Sequence, residues 1–237
     1  EGPWLHKKDG MYYLTYASMG RRGAEAIEYA TATSLDGEWT CQGPLTGSAR
    51  DSFTIHPGIA EFNGSWYLFY HDGTLAAHGY SGGSGRRSVC VENLEYNEDG
   101  TMKFTQLTSQ GIAPATPWHN SFGGMPTFQT KYTADPSPML INDTIFVYTS
   151  HDEDDAQGYG FKMLNWILWT TTDMVNFTEH GVVASTEAFD WRLRDNGAWA
   201  QQVVERNGKY YMYCPLHGNG IGVLMADSPY GPFVDPI

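Results

Sequence analysis

The sequence predicts an all-β protein built from several similar sheets. A turn pair followed by an aromatic run occurs four times in the 237 residues, beginning at Asp9, Asn63, Asn142 and Asn207. Asn-Gly and Asp-Gly pairs supply the positive φ angles of tight hairpin turns, and Tyr, Trp, Phe and Val favour strands. Each copy therefore predicts a hairpin that leads into a central strand. No segment has a convincing apolar period of about 3.6 residues, so few helices are expected.

The spacing of the repeats predicts how the sheets are arranged. Successive turns lie 54, 79 and 65 residues apart, which is typical of the blades of a β-propeller. A second repeat, in which a strand closes on a polar turn and an aromatic residue, occurs at residues 30–39, 169–177 and 225–233. We therefore expect four sheets, beginning near residues 1, 53, 127 and 199.

Length and composition limit the class of protein. A chain of 237 residues can form one domain with a substantial core, and the 27 glycines and 14% aromatic residues are typical of turn-rich β-proteins. The formal net charge of −13 repels phosphate backbones and anionic lipids, and no Lys/Arg cluster interrupts it. Neither nucleic acid nor a membrane is expected as a partner, and no organic cofactor is expected.

The cysteines and sequons say little about the compartment. Cys41, Cys90 and Cys214 are an odd number, far apart and without metal-ligand spacing, so buried free thiols are expected. Asn63, Asn142 and Asn176 begin glycosylation sequons, which arise often by chance. The cysteines and the sequons do not decide the cellular compartment, and an extracellular or periplasmic location is favoured. Because the chain begins at Glu1 and not at Met, a processed, trimmed or partial chain is expected.

Three segments carry candidate catalytic groups at the start of a predicted sheet. Asp135 stands before Pro136, which is expected to hold the carboxylate in an extended, fixed segment. Glu1 precedes a turn and a strand, and His56 precedes another sheet. A propeller brings such segments together at one mouth of its channel. Taken singly, each has an ordinary alternative, since Asp-Pro is a common turn and a lone histidine is usually structural.

Together these segments resemble glycoside hydrolase family 43, five-bladed β-propeller enzymes that remove arabinofuranosyl or xylosyl units from plant polysaccharides. The resemblance covers essentially the whole chain, and its motifs lie at residues 1–4, 56–59, 86–89, 134–137 and 198–204. It implies that Asp135 is the general base and Glu1 the general acid. It also implies that Trp199 lines the sugar pocket, with a core aromatic residue as the alternative. Arg87 would reach the substrate or the base, with an ordinary ion pair as the alternative.

The resemblance also implies that His56 sits on a central metal or water site and takes part in substrate binding. Calcium, bound directly or through water, is the expected ion, although it prefers oxygen ligands. The acidic segment 151–155 is a second candidate for cation binding, but a solvated loop is the favoured interpretation.

The order of the motifs departs from the family pattern. Residues 1–116 resemble blades four and five, and residues 117–237 resemble blades one and two, within a single domain of residues 1–237. The third blade, with an Ile-Asp-Pro aspartate that tunes the acid, is absent, and Asp235 is not assigned to that role. The chain is then either permuted or truncated, or it joins pieces of a longer chain around residues 114–117.

The predicted function is an inverting glycoside hydrolase. It would release α-L-arabinofuranosyl units, β-D-xylosyl units or both from plant cell-wall arabinoxylan or xylo-oligosaccharides. Inversion needs one carboxylate to activate water and one carboxyl to protonate the leaving oxygen, so the pKa of Glu1 is expected to be raised. The alternative is a non-catalytic carbohydrate-binding propeller that lacks the third carboxylate. A fructan- or sucrose-splitting enzyme of the retaining families is ranked lower, since the chain has neither of their motifs.

Overall fold

The computed structural model describes residues 1–20, 23–112, 125–157 and 160–237. Within these ranges the strands form four antiparallel sheets, and no α-helix is present. The first sheet contains β1 (Trp4–Lys8), β2 (Met11–Met19), β3 (Glu25–Ala32) and β4 (Thr40–Ser48), and the second contains β5 (Gly58–Phe62), β6 (Ser65–Asp72) and β7 (Ser88–Leu94). The third contains β8 (Thr133–Ile141), β9 (Thr144–His151), β10 (Asn165–Thr171) and β11 (Thr178–Ser185), and the fourth contains β12 (Gln202–Arg206), β13 (Lys209–Leu216) and β14 (Gly220–Ala226).

The prediction of an all-β fold with four sheets is therefore confirmed. The sheets begin at Trp4, Gly58, Thr133 and Gln202, within a few residues of the expected positions. A 3-10 turn spans Thr186–Ala188. None of the described segments is a helix with the length and apolar character needed to cross a bilayer.

The repeated turns are two-residue hairpin loops, each leading into a central strand. The residues that flank them pair directly, as Lys8 with Met11 and Arg206 with Lys209. Both turn residues have positive φ in the Asp-Gly and Asn-Gly copies, whereas the third copy has positive φ at Asn142 alone. Local turn chemistry therefore sets the strand register at each repeat.

The sheets pack face to face in the order of the sequence. One apolar cluster joins the first and second sheets through residues such as Ile27 and Leu68, and another joins the second and third through Phe69 and Ile167. A third cluster, which includes Trp166, joins the third and fourth sheets. Alternate residues of each central strand enter these clusters, as the strand periodicity requires.

The first strands of the second and third sheets approach each other closely at Gly58. A Cβ atom at this position would lie 2.4 Å from the carbonyl oxygen of Pro136 and 2.6 Å from Cδ of Pro138. Glycine is needed here because both neighbours belong to backbone or to a rigid ring. This approach brings His56, two residues before Gly58, beside Asp135.

The cysteines match the expectation only in part. Cys41, Cys90 and Cys214 are free thiols as predicted, but Cys41 is exposed, because it lies on the outer strand β4, and only the other two are buried. The proposed junction at residues 114–117, and with it the division between residues 116 and 117, lies outside the described residues.

We predict that Gly58→Ala lowers the free energy of unfolding by about 1–3 kcal/mol, because the added methyl group forces β5 away from β8. Urea unfolding monitored by tryptophan fluorescence measures the change. Gly47→Ala is the matched control, since a Cβ at Gly47 meets no atom within 4 Å. Equal stabilities for the two variants would contradict this account of the contact.

Candidate active site

One cavity collects the predicted site residues from all four sheets. It has a volume of about 450 Å³, and Glu1, His56, Arg87, Asp135 and Trp199 all line it. These residues are separated by up to 198 positions in the sequence. They meet because each lies at or beside an end of a strand that faces the same opening.

The backbone at Asp135 differs from the expected extended conformation. Its φ angle is +53°, in the left-handed region that non-glycine residues seldom occupy. The prediction of an extended segment is wrong because the pairing of β8 with β9 shifts register between Ala134 and Ser137. This β-bulge turns the Asp135 side chain, which is buried, towards the cavity.

Polar groups surround both carboxylate oxygens of Asp135. The hydroxyl of Ser150 donates a hydrogen bond of 2.7 Å to Oδ2. Nδ1 of His56 lies 2.7 Å from Oδ1, and Nη1 of Arg87 lies 3.8 Å from the same oxygen. Burial raises the pKa of Asp135, but the charges of His56 and Arg87 outweigh burial and hold that pKa well below its usual range. Asp135 is a buried carboxylate whose ionised form is favoured by its neighbours.

Arg87 is fixed by a second buried carboxylate, that of Asp152. Asp152 accepts hydrogen bonds of 2.8 Å from the backbone N–H, Nε and Nη2 of Arg87. Burial lowers the pKa of Arg87, but Asp152 more than offsets this, so the net shift is upward. The expectation of a solvated loop at residues 151–155 is wrong for Asp152, which is fully buried because it neutralises Arg87. Arg87 is both an ion-pair member and a neighbour of Asp135.

Glu1 has a carboxyl partner that the sequence did not indicate. Glu25 is buried at the start of β3, and its Oε2 accepts a hydrogen bond of 3.0 Å from the backbone N–H of Ile55. A hydrogen bond between the two side chains lowers the pKa of Glu1. Burial and that same hydrogen bond raise the pKa of Glu25 to about 7.

The expected rise in the pKa of Glu1 is therefore wrong, because Glu25 donates a hydrogen bond to the charged form of Glu1. The two groups titrate as a pair, and the pair retains one proton up to about pH 7.

Calcium at His56 stays a prediction. A ring nitrogen of His56 and one carboxylate oxygen each from Glu1 and Glu25 lie within 4.8 Å of one another. Calcium takes about 6–8 oxygen ligands, and this set offers one nitrogen and two carboxylates that already share a hydrogen bond. This donor set fits calcium poorly.

Aromatic side chains form part of the cavity wall. The Trp199 ring lies 4.3 Å from the His217 ring and 6.3 Å from the Phe161 ring, measured between centroids. The Trp199 carbonyl accepts a hydrogen bond of 3.0 Å from Nε1 of Trp166, which fixes the backbone below the ring. Phe161 also covers the guanidinium of Arg87, with 4.6 Å between its centroid and Cζ. Trp199 is half-buried and presents part of its surface to the cavity.

Sequence reasoning missed four polar residues around the carboxylates: Glu25, His71, Ser150 and Gln201. His71 accepts a hydrogen bond from the backbone N–H of Asp135, and Gln201 donates one to its carbonyl oxygen. Each missed residue is buried and lies in a strand or directly beside one. A polar residue at a predicted core position was the signal that could have revealed them.

Curated relatives support a common origin for part of the chain. This chain is 37% identical over 114 residues to a xylosidase/arabinosidase of Bacteroides ovatus, and the match covers 44% of this chain and 34% of that protein. It is 34% identical over 128 residues to an arabinoxylan arabinofuranohydrolase of Bacillus subtilis, covering 44% and 24% of the two chains. The chain thus spans about a third or less of the length of these relatives.

Solved structures match the fold over nearly the whole chain. A thermostable family-43 glycoside hydrolase aligns with a TM-score of 0.62 at 15% identity, covering 98% of this chain and 70% of that one. An α-L-arabinofuranosidase from Clostridium thermocellum aligns with a TM-score of 0.57 at 20% identity and the same coverage. These likenesses establish the five-bladed β-propeller fold family, of which the described residues form four blades.

A family model extends the match beyond the segments shared with single relatives. The model for glycosyl hydrolases family 43 matches residues 1–102 and 125–237, which include every residue of the cavity described above. The chain therefore belongs to glycosyl hydrolases family 43.

Proposed function

We propose that this chain carries the site of an inverting glycoside hydrolase that releases α-L-arabinofuranosyl units, β-D-xylosyl units or both from arabinoxylan or xylo-oligosaccharides. One observation carries the proposal: two carboxyl groups, those of Asp135 and Glu1, line the same cavity, and a third, that of Glu25, lies beside Glu1. The names of the relatives, xylosidase/arabinosidase and arabinoxylan arabinofuranohydrolase, support the substrate class.

Asp135 is the proposed general base. An inverting enzyme needs a carboxylate that stays ionised while it takes a proton from the attacking water. The charges of His56 and Arg87 keep Asp135 ionised, and the hydrogen bond from Ser150 orients one of its oxygens. The other oxygen, Oδ1, lies 2.7 Å from Nδ1 of His56 and 3.8 Å from Nη1 of Arg87.

Glu1 is the proposed general acid, with Glu25 as its proton-sharing partner. Glu1 lines the cavity, whereas the buried Glu25 is anchored behind it by the N–H of Ile55. The single proton of the pair can pass from Glu25 to Glu1 and from Glu1 to the leaving oxygen, and the pair takes a proton back from solvent after the bond breaks. This arrangement supports acid catalysis although the pKa of Glu1 itself is lowered.

The remaining lining residues suit a sugar ring. Trp199 offers an apolar ring surface, on which the C–H face of a pentose can pack. Arg87 has Nη1 directed towards Asp135 Oδ1, at 3.8 Å, and can donate a hydrogen bond to a sugar hydroxyl bound beside the base.

We predict that Asp135→Asn lowers kcat on nitrophenyl pentosides by about 10²–10⁴-fold, because the amide cannot accept the proton of water. Binding of xylo-oligosaccharides, measured by calorimetry, should persist. Asp143→Asn, in an exposed hairpin turn, is the matched control and should leave kcat unchanged. An active Asp135→Asn enzyme would refute the assigned base, and sugar binding without hydrolysis by the unaltered protein would favour a carbohydrate-binding propeller.

Glu1→Gln should reduce the rate in a way that depends on the leaving group. A nitrophenolate leaves with little protonation, so its release should slow much less than the cleavage of a xylo-oligosaccharide, whose leaving alcohol needs the proton. Steady-state rates on the two substrates, with exposed Glu38→Gln as the control, measure the difference. A uniform loss on both substrates would argue against Glu1 as the acid.

The free energy of unfolding should fall as the pH rises from 5 to 7.5. The folded pKa of Glu25, about 7, lies above its ordinary value of 4.5. Across that window the folded state therefore holds a proton that the unfolded state has lost. The expected decrease is about 1–3 kcal/mol, measured by urea unfolding at both pH values. Glu25→Gln, which resembles the protonated carboxyl, should abolish this decrease; an unchanged pH dependence would exclude Glu25 as its source.

A further inference from the structure

We propose that His71 is a positioning residue that sets the direction of the Asp135 carboxylate by holding the Asp135 backbone. The inference rests on the proposed role of Asp135 as the base. His71 is fully buried on β6 and is not among the residues that line the cavity. Any effect of His71 on the reaction must therefore pass through its neighbours.

The hydrogen bonds of His71 define its tautomer. Its Nδ1 accepts the backbone N–H of Asp135 at 3.2 Å, so Nδ1 carries no proton. Its Nε2 lies 3.1 Å from Oγ1 of Thr54 and is the nitrogen left to carry the ring proton. Burial lowers the pKa of His71 well below its usual range, and the nearby charge of Arg87 lowers it further. The neutral ring with its proton on Nε2 is thus the form that fits this position.

Asp135 needs such an anchor because of its backbone conformation. A φ of +53° costs about 1–2 kcal/mol for a residue with a side chain, and the following Pro136 restricts Asp135 further. The bulge removes Asp135 from the β8–β9 pairing, which resumes at Ser137.

Hydrogen bonds with two side chains replace the strand pairing that Asp135 lacks. His71 accepts the Asp135 N–H, and Nε2 of Gln201 donates a hydrogen bond of 3.3 Å to the Asp135 carbonyl oxygen. They hold both ends of the strained residue, one from each neighbouring sheet.

The consequence for the carboxylate is geometric. The direction of the Cα–Cβ bond follows the backbone, so relaxation of φ would move Oδ1 and Oδ2 away from His56 and Ser150. A displacement of about 1 Å at a reacting group can cost on the order of 10²-fold in rate. Sugar binding would change little, because His71 does not line the cavity.

Two neutral amide variants separate the nitrogens of His71. In His71→Asn the side-chain oxygen takes the place of Nδ1 and can accept the Asp135 N–H. In His71→Gln the amide reaches the place of Nε2 and leaves that N–H without an acceptor. We expect His71→Asn to keep kcat within about 10-fold of the unaltered enzyme and His71→Gln to lose about 10²-fold. KM should be similar in both, measured on nitrophenyl pentosides, with thermal unfolding recorded for each protein.

Several results would contradict the role proposed for His71. Equal kcat values in the two variants, or losses that follow the melting temperatures rather than the position of the oxygen, would overturn the inference. If neither variant folds, a scalar coupling between His71 Nδ1 and the Asp135 amide nitrogen in the unaltered protein decides: its presence supports the anchor and its absence removes it. Asp135→Asn separates the two proposals. An inactive Asp135→Asn with a fully active His71→Gln would reject the anchor alone, whereas an active Asp135→Asn would reject the assigned base.

Discussion

The site depends on keeping one buried carboxylate, that of Asp135, in its charged form. A carboxyl group without partners in such a position would be protonated, since burial favours the neutral form. Asp135 avoids this through His56 and Arg87, both close to Oδ1. Arg87 is itself buried and needs a counter-charge, which Asp152 supplies by accepting hydrogen bonds from Nε and Nη2 of Arg87. The result is a chain of alternating charges in which the loss of one member leaves the next unpaired.

The fold explains how these charges come from distant parts of the sequence. Asp135 lies near the start of β8 in the third sheet, Arg87 directly precedes β7 of the second, and Asp152 directly follows β9 of the third. The close approach at Gly58 places the His56 segment against Pro136. Face-to-face packing of successive sheets therefore provides both the core and the registration of charges around the cavity. A shift between the second and third sheets would separate the histidine from the carboxylate before it disturbed either hairpin.

Much of this architecture could be predicted from local sequence. The hairpin turns depend on two residues each, so Asp9-Gly10 and its three counterparts identified the central strands. Glu1, His56 and Asp135 were predicted as cavity residues because each stands near the start of a predicted sheet, whereas Arg87 and Trp199 were predicted only through the resemblance to the family. The predictions that failed depend on contacts between residues that are far apart in the sequence. The bulge at Asp135 depends on pairing with β9, the burial of Asp152 depends on Arg87, and Glu25 meets Glu1 only after β3 pairs with β2 and packs beneath the Ile55 segment.

The two acidic centres illustrate how one cavity can hold carboxyl groups in opposite states. Around Asp135 the near neighbours are cationic or donate hydrogen bonds, so the charged form is favoured. Around Glu1 the near neighbour is another carboxyl group, and two such groups in contact share a proton rather than both ionise. His56 contacts the first centre and lies within 4.8 Å of the second. A change in its charge would therefore be felt at both centres. The difference between an acid and a base here comes from the partners that the fold supplies, since both residues have ordinary carboxyl side chains. That is why a buried partner such as Glu25, absent from any local motif, bears as directly on the chemistry as the residue that faces the substrate.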